Sequence, residues 1–265
     1  MADLEGCSNS ISCLFNIDEN RFASVSTDNT IRIWNAKNFV CLIKFTTSHI
    51  NKVLCLKNLP SNRLASGSYL VIEIWSIESG ECLQTLNGHS NWVRDIVYSP
   101  NGNLVSCSWD ETIKMWDLGR GECIKTITSH SDKFCCLHLL RNGQLASSSY
   151  NKAIKIWNME SGECVKTLQG HSSYTWRLQQ LESGELVSCS NDSTIKIWDL
   201  TEGCCIKTLV GHGGVVRSLR INSQNNDLVS CSDDGTIKTW DTKTGEFLNT
   251  AADLNGGQFV DLIFI

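Results

Sequence analysis

Histidine, serine and aspartate recur in this 265-residue chain at spacings that raise the question of nucleophilic chemistry. His89, Ser108 and Asp110 are the residue types of an acyl-transfer triad, in which an imidazole takes the proton of a hydroxyl and a carboxylate orients the imidazole. The same trio returns as His171, Ser190 and Asp192, and again as His212, Ser232 and Asp234. An active site needs one triad, so a trio that repeats reads as a structural device. No Gly-rich phosphate loop, clustered metal ligands or isolated nucleophile with its own base accompanies it. The sequence therefore assigns no catalytic residue, no metal, no cofactor and no small-molecule substrate.

Fourteen cysteines invite a second chemistry, disulfide formation or metal binding. Cys41, Cys82, Cys123, Cys164 and Cys205 each follow a tryptophan by seven residues, and Phe247 holds the sixth such slot. Cys107, Cys189 and Cys231 each precede one by nine. A slot shared by cysteine and phenylalanine reads as packing, with the thiol as a small buried hydrophobe. Neither Cys135-Cys136 nor Cys204-Cys205 belongs to a CxxC pair. Reduced thiols point to an intracellular compartment, cytoplasmic or nuclear. The start Met1-Ala2-Asp3-Leu4-Glu5 has no basic flank or apolar run, and no apolar stretch reaches 18 residues. Neither a secretory signal nor a membrane span is expected. The net charge of −5 argues against a general nucleic-acid surface.

The elements that must position these groups are set by tryptophan. Trp34, Trp75, Trp116, Trp157, Trp198 and Trp240 stand 41, 41, 41, 41 and 42 residues apart. A period of about 40–45 residues with Gly-His and Trp-Asp signatures marks a four-stranded unit. The third repeat shows it best. Trp92 to Tyr98 alternates and Ser99-Pro100-Asn101-Gly102 turns; Leu104 to Ser108 and Thr112 to Trp116 flank a second turn. Gly119 to Glu122 turns again before an outer strand, Cys123 to Ile127. Short β-forming runs broken by turn residues every 8–12 positions predict an all-β architecture. The repeats run over 4–45, 46–86, 87–127, 128–168, 169–209 and 210–250 in one domain, 1–265. A lone apolar strand, 258–265, resembles the start of a seventh.

On these residues the chain resembles the WD-repeat β-propeller family over essentially its whole length. The resemblance implies six complete four-stranded blades plus the lone C-terminal strand; closure as a six-bladed ring or an incomplete seven-bladed one stays open. It also implies a buried hydrogen-bonded relay of His, Ser, Asp and Trp in each blade. Matched by position, the relay is complete as His89, Ser108, Asp110 and Trp116; as His171, Ser190, Asp192 and Trp198; and as His212, Ser232, Asp234 and Trp240. The fourth repeat has His130, Ser149 and Trp157 but Asn151 for the acid. The second keeps His49 and Trp75, yet is one residue short with no acid in the turn Tyr69-Leu70-Val71; the first has Cys7 where His belongs. A half-satisfied buried network is costly, so the first two repeats are expected to be the weaker ones.

The resemblance also implies that partners lie across one face, reached by residues three and five after the relay His and the residue just before the relay Asp. In this chain those slots hold Trp92, Arg94 and Trp109; Lys133 and Tyr150; Tyr174 and Trp176; Arg217 and Asp233; and Lys52. Every tryptophan outside the relay falls in them, and Trp, Tyr and Arg dominate binding hot spots. The expected function is a non-catalytic protein–protein interaction scaffold that binds protein partners or peptide segments, acidic or phosphorylated ones included, since Arg94, Arg217, Lys52 and Lys133 oppose a single acid, Asp233. A substrate-receptor-like module of a ubiquitin ligase or signalling complex, and a truncated propeller without independent function, are the alternatives.

Overall fold

The computed structural model describes residues 10–128, 132–222 and 224–251. Cys7, His130 and the segment 258–265 lie outside the described residues. Among those described, every regular element is a β-strand, and no helix is long and apolar enough to cross a membrane. The chain divides into two compact units at Thr128.

In the first unit, β1 (Ile11–Asn16), β2 (Arg21–Ser26), β3 (Thr30–Asn35) and β4 (Cys41–Thr46) form an antiparallel sheet in chain order. A second sheet has seven strands: β5 (Cys55–Leu59), β6 (Arg63–Gly67), β7 (Tyr69–Ser76), β8 (Cys82–Tyr98), β9 (Asn103–Ser108), β10 (Thr112–Asp117) and β11 (Glu122–Thr128). In the second unit, three four-stranded meanders follow. They are β12 (Phe134–Leu139), β13 (Leu145–Ser149), β14 (Ile154–Trp157) and β15 (Cys164–Leu168); β16 (Thr175–Gln180), β17 (Leu186–Ser190), β18 (Ile195–Asp199) and β19 (Cys204–Leu209); and β20 (Val216–Ile221), β21 (Leu228–Ser232), β22 (Ile237–Trp240) and β23 (Phe247–Ala251).

The seven-stranded sheet departs from the expected row of separate four-stranded units. β8 crosses the boundary drawn at 86/87 and serves as the outer strand of the second repeat and the inner strand of the third. The residue missing from the second repeat explains this. Elsewhere the turn before the third strand contains an acid or Asn151 followed by a left-handed residue, such as Asp110 then Glu111 at φ 67°. In the second repeat the acid is deleted and Leu70 takes the left-handed position at φ 71°. Strand pairing then continues up to Tyr69, which sits opposite Trp92.

The second strand of each repeat is the most buried. β9 reads as one half-buried residue followed by five buried ones, and β13 and β17 are buried throughout. Outermost strands are the most exposed, with every second residue exposed on β19 and three of five exposed on β15. The cysteine expectation divides along this line. Cys107, Cys189 and Cys231 are buried as expected of small hydrophobes, but Cys41, Cys82, Cys123 and Cys164 are exposed. Their strand is outermost, and a bulge opposite the tryptophan turns the thiol outward; Cys123 pairs with Trp116 at such a bulge and donates to the Lys125 carbonyl at 3.4 Å. No disulfide links the described cysteines.

Candidate functional site

Each complete relay is a line of donors and acceptors running from the core to the turn. In the third repeat, Trp116 Nε1 donates to Ser106 Oγ at 2.8 Å, and Ser106 Oγ lies 2.7 Å from His89 Nε2. His89 Nδ1 faces Asp110 Oδ2 at 2.7 Å. An indole only donates and an aspartate only accepts, so a neutral imidazole completes the line in one direction. The same geometry joins Trp198, Ser188, His171 and Asp192, and again Trp240, Ser230, His212 and Asp234. The serines differ from the sequence expectation. Ser108, Ser190 and Ser232 are not in the line; their hydroxyls accept the backbone N–H of the relay aspartate at 3.0–3.1 Å. Both serines of each Ser-x-Ser point to the same sheet face. Register decides between them, because Trp116 sits opposite Leu104 and Ser106 is its diagonal neighbour.

Glycine precedes each of these histidines for a packing reason. A Cβ at Gly88 would stand 3.3 Å from the Trp116 ring, and Gly88 has φ +147°. The loop carrying the histidine thus lies directly on the indole.

The aspartates are further held by the turn. Asp110 accepts from the Ser90 N–H at 3.0 Å, the Thr112 N–H at 3.0 Å and the Thr112 hydroxyl at 2.6 Å. Against the upward push of burial, the hydrogen bonds from His89 and Thr112 hold its carboxyl well below the ordinary range. Asp192 and Asp234 are depressed in the same way. Such a group stabilises the fold fully above the unfolded pKa, and the stabilisation is lost as pH falls through the folded one. Burial also lowers His49 to about 4 and raises Glu73. These two act with opposite sign: as pH falls the neutral His49 loses stabilisation, while Glu73, keeping its proton, gains it. Burial lowers His212 as well, so two histidines lose against one glutamate gaining: the chemical-denaturation midpoint should decline from about pH 6.5 downward and fall most steeply below about pH 4, where the relay aspartates add their loss. Asp192→Asn should make that fall shallower; a midpoint unchanged down to about pH 2 would contradict the assignment.

The first two repeats recruit a residue that sequence reasoning missed. The slot two before each tryptophan holds Arg32, Glu73, Lys114, Lys155, Lys196 and Lys238. Lys114, Lys196 and Lys238 reach outward to Thr126, Thr208 and Thr250 on the neighbouring strand. Arg32 and Glu73 instead turn inward and are each 3% exposed. Arg32 Nη1 donates to Thr30 Oγ1 at 2.9 Å, and Thr30 donates to Asp28. Glu73 accepts from Ser48 and lies 3.1 Å from His49 Nε2, which also meets Ser66 Oγ at 2.8 Å. The second repeat, whose turn has no acid, thus brings a carboxyl group from a slot that is otherwise cationic. The signal was present in the sequence as the only acid in that slot.

The expected partner-binding residues are gathered by two backbone devices. The residue before the relay acid donates its N–H to the carbonyl three after the relay histidine: Trp109 to Trp92 at 2.9 Å, Tyr150 to Lys133 at 3.0 Å, Asn191 to Tyr174 at 2.8 Å and Asp233 to Val215 at 2.9 Å. The slot five after the histidine is the extra residue of a β-bulge, at Arg94, Cys135, Trp176 and Arg217. Bulges re-aim a side chain that regular pleating would direct elsewhere.

In the first unit, Tyr69 and Trp92 meet edge to face at 5.4 Å, and the Arg94 guanidinium lies over Trp109 at 5.4 Å. Lys52 is exposed and is tied to the same rim through Ser68, whose hydroxyl donates to the Lys52 carbonyl and whose own carbonyl accepts from Val93. In the second unit, Tyr150 stacks on Tyr174 at 4.5 Å and meets Trp176 at 6.0 Å. Arg217 covers Trp176 at 5.2 Å, and its Nε and Nη2 bond both Asp233 oxygens at 2.5–3.1 Å. Of the four cations expected on the face, Arg217 is the one that takes its single acid, Asp233. Lys133 is exposed on the same unit. No group of three His, Cys, Asp or Glu side chains among the described residues is placed to hold a metal ion.

The family model described as WD domain, G-beta repeat matches residues 1–35, 80–117, 121–158, 162–199 and 203–241. Among curated proteins, the chain is similar to nuclear distribution protein PAC1 of Arthroderma otae, 32% identical over 100 residues, covering 34% of this chain and 22% of that protein. It is also similar to nuclear distribution protein nudF 2 of Penicillium rubens, 35% identical over 112 residues, with coverage of 34% and 24%. A shorter stretch of 31 residues is 61% identical to PAC1 of Mycosarcoma maydis, covering 12% of this chain and 7% of that protein. The chain thus aligns with about a quarter or less of the length of these relatives.

Proposed function

The chain belongs to the WD40 family of G-beta repeats, and from that premise we propose that it is a non-catalytic, intracellular interaction scaffold whose six repeats are the blades of a β-propeller. The face it uses is the aromatic rim of each unit, built on Tyr69, Trp92, Arg94 and Trp109 in the first and on Tyr150, Tyr174, Trp176 and Arg217 in the second. The observation that carries this reading is the bulge at the same slot in three of the repeats, which places Arg94, Trp176 and Arg217, each half-buried, beside the other large rings of its unit. Half-buried Trp, Tyr and Arg held by neighbouring rings lose little freedom on binding, which is what makes such residues energetic anchors. The repeated His–Ser–Asp line is spent on holding indoles and turns, and it contributes no reactive group to the rim. Peptides selected for binding to the purified chain test the reading. Trp92→Ala or Trp176→Ala should weaken them by about 30-fold or more, the cost of losing one hot-spot residue, measured well below each variant's melting temperature because Trp176 also packs against the buried core. Selected peptides that bind both variants as tightly as the parent would refute a rim site.

A further inference from the structure

The two rims share a backbone plan but differ in charge. In the second unit, the arginine five after the relay histidine faces an aspartate in the slot before the relay acid, and Arg217 and Asp233 satisfy each other. In the first unit the corresponding slots hold Arg94 and Trp109, so the arginine faces a ring instead of an acid. The nearest relay carboxylate, Asp110, is already occupied by His89, Ser90 and Thr112. Arg94 Nε is buried with no hydrogen-bond partner. A guanidinium partly removed from water and left with an open donor is costly to the free protein, and an incoming anion relieves that cost. Exposed Lys52 adds charge of the same sign, while Leu70, 37% exposed and next to the Tyr69 that pairs with Trp92, offers apolar surface.

We propose that Arg94 is the anion-receiving group of the chain, taking the carboxylate or phosphate of an acidic peptide segment whose neighbouring apolar residue lies against Trp92 and Tyr69. This rests on the reading of the rim as a peptide-binding surface and narrows it to the first unit. Arg217, stacked on Trp176 and closed by Asp233, contributes aromatic contact but no anion site. The overall charge of −5 repels an acidic peptide at long range, so any preference for one has to arise locally.

Fluorescence anisotropy on the full chain tests this with four labelled peptides of one Leu-containing frame, carrying glutamate, phosphoserine, glutamine or lysine at the variable positions. The glutamate or phosphoserine peptide should bind at least about tenfold tighter than the glutamine one, as a bidentate charged pair requires. Arg94→Gln should erase that preference, Arg94→Lys should retain part of it, and Arg217→Gln should leave it within about twofold. A phosphoserine peptide tighter than the glutamate one assigns phosphate as the ligand group; equal affinities assign the carboxylate. A preference absent in the parent, surviving Arg94→Gln, or lost equally in Arg217→Gln overturns the proposal. So does a single-stranded oligonucleotide that displaces the acidic peptides. If glutamate and glutamine peptides bind alike and Trp92→Ala weakens both, the rim stands and Arg94 falls. If Trp92→Ala weakens neither, the rim itself is wrong.

Discussion

Ser106→Ala is expected to lower stability by roughly 2–4 kcal/mol, whereas Ser108→Ala, two residues on, costs about 1 kcal/mol. Both serines are fully buried, so burial does not separate them. Ser106 Oγ is the junction between the Trp116 N–H and His89 Nε2. Removing it leaves a buried donor and a buried acceptor without partners, each costing about 1–3 kcal/mol. The histidine then loses the group that fixes its ring, and through Asp110 the turn loosens as well. Ser108 only caps the Asp110 N–H, at 3.0 Å. In a chain of this size the Ser106 change should lower Tm by roughly 5–12 °C. Ser188→Ala should behave like Ser106→Ala, since its partners Trp198 and His171 stand at the same distances. Equal losses from Ser106→Ala and Ser108→Ala in denaturant unfolding would show that the line does not act as a unit.

The second large effect runs against the usual logic of repeat proteins, in which replacing an odd residue by the one its sister repeats carry is stabilising. Glu73→Lys makes the second repeat match the four that hold lysine in that slot, yet it is expected to cost about 3 kcal/mol. Glu73 is buried against His49 and Ser48, in a repeat whose turn contains no aspartate. A lysine there either buries its ammonium beside an imidazole with no acid to meet it, or swings outward and abandons Ser48 and His49. Inserting an aspartate between Tyr69 and Leu70 in the same variant should recover most of the loss, because the histidine regains an acid from the turn. Thermal melts of the single and combined variants check this; a single variant as stable as the parent sinks the idea that Glu73 substitutes for the missing acid.

The period of the fold was legible because the indole is too large to misplace: six tryptophans at a constant step define six repeats, and turn residues between them define the strands. The relay was legible in outline, since His, Asp and Trp each stand at one position per repeat. Its serine was not. Ser-x-Ser puts two hydroxyls on one face, and only the cross-strand register, with Leu104 opposite Trp116, selects Ser106. The cysteines misled for a related reason, because a repeated slot fixes a role without fixing whether that role lies inside or outside. Arg32 and Glu73 could have been found. The slot two before tryptophan holds lysine in the last four repeats and departs from it only in the first two, whose relays lack a histidine and an acid respectively, while the fourth repeat, with Asn151 for its acid, keeps Lys155. On the rim, the slots were placed by analogy and the structure supplied their pairing, including the Arg217–Asp233 contact between residues 16 positions apart.

The strand Cys82–Tyr98 carries a consequence for how the first unit comes apart. Between the first and second repeats, and among the three repeats of the second unit, adjacent repeats are separate hydrogen-bonded ladders, and each can fray alone. Here one backbone serves as the last rung of one ladder and the first rung of the next, so releasing either side strips partners from the other. The second and third repeats are therefore a single cooperative unit of opening. Its seam passes through Trp92, which ties the mobility of that ring to the integrity of both ladders.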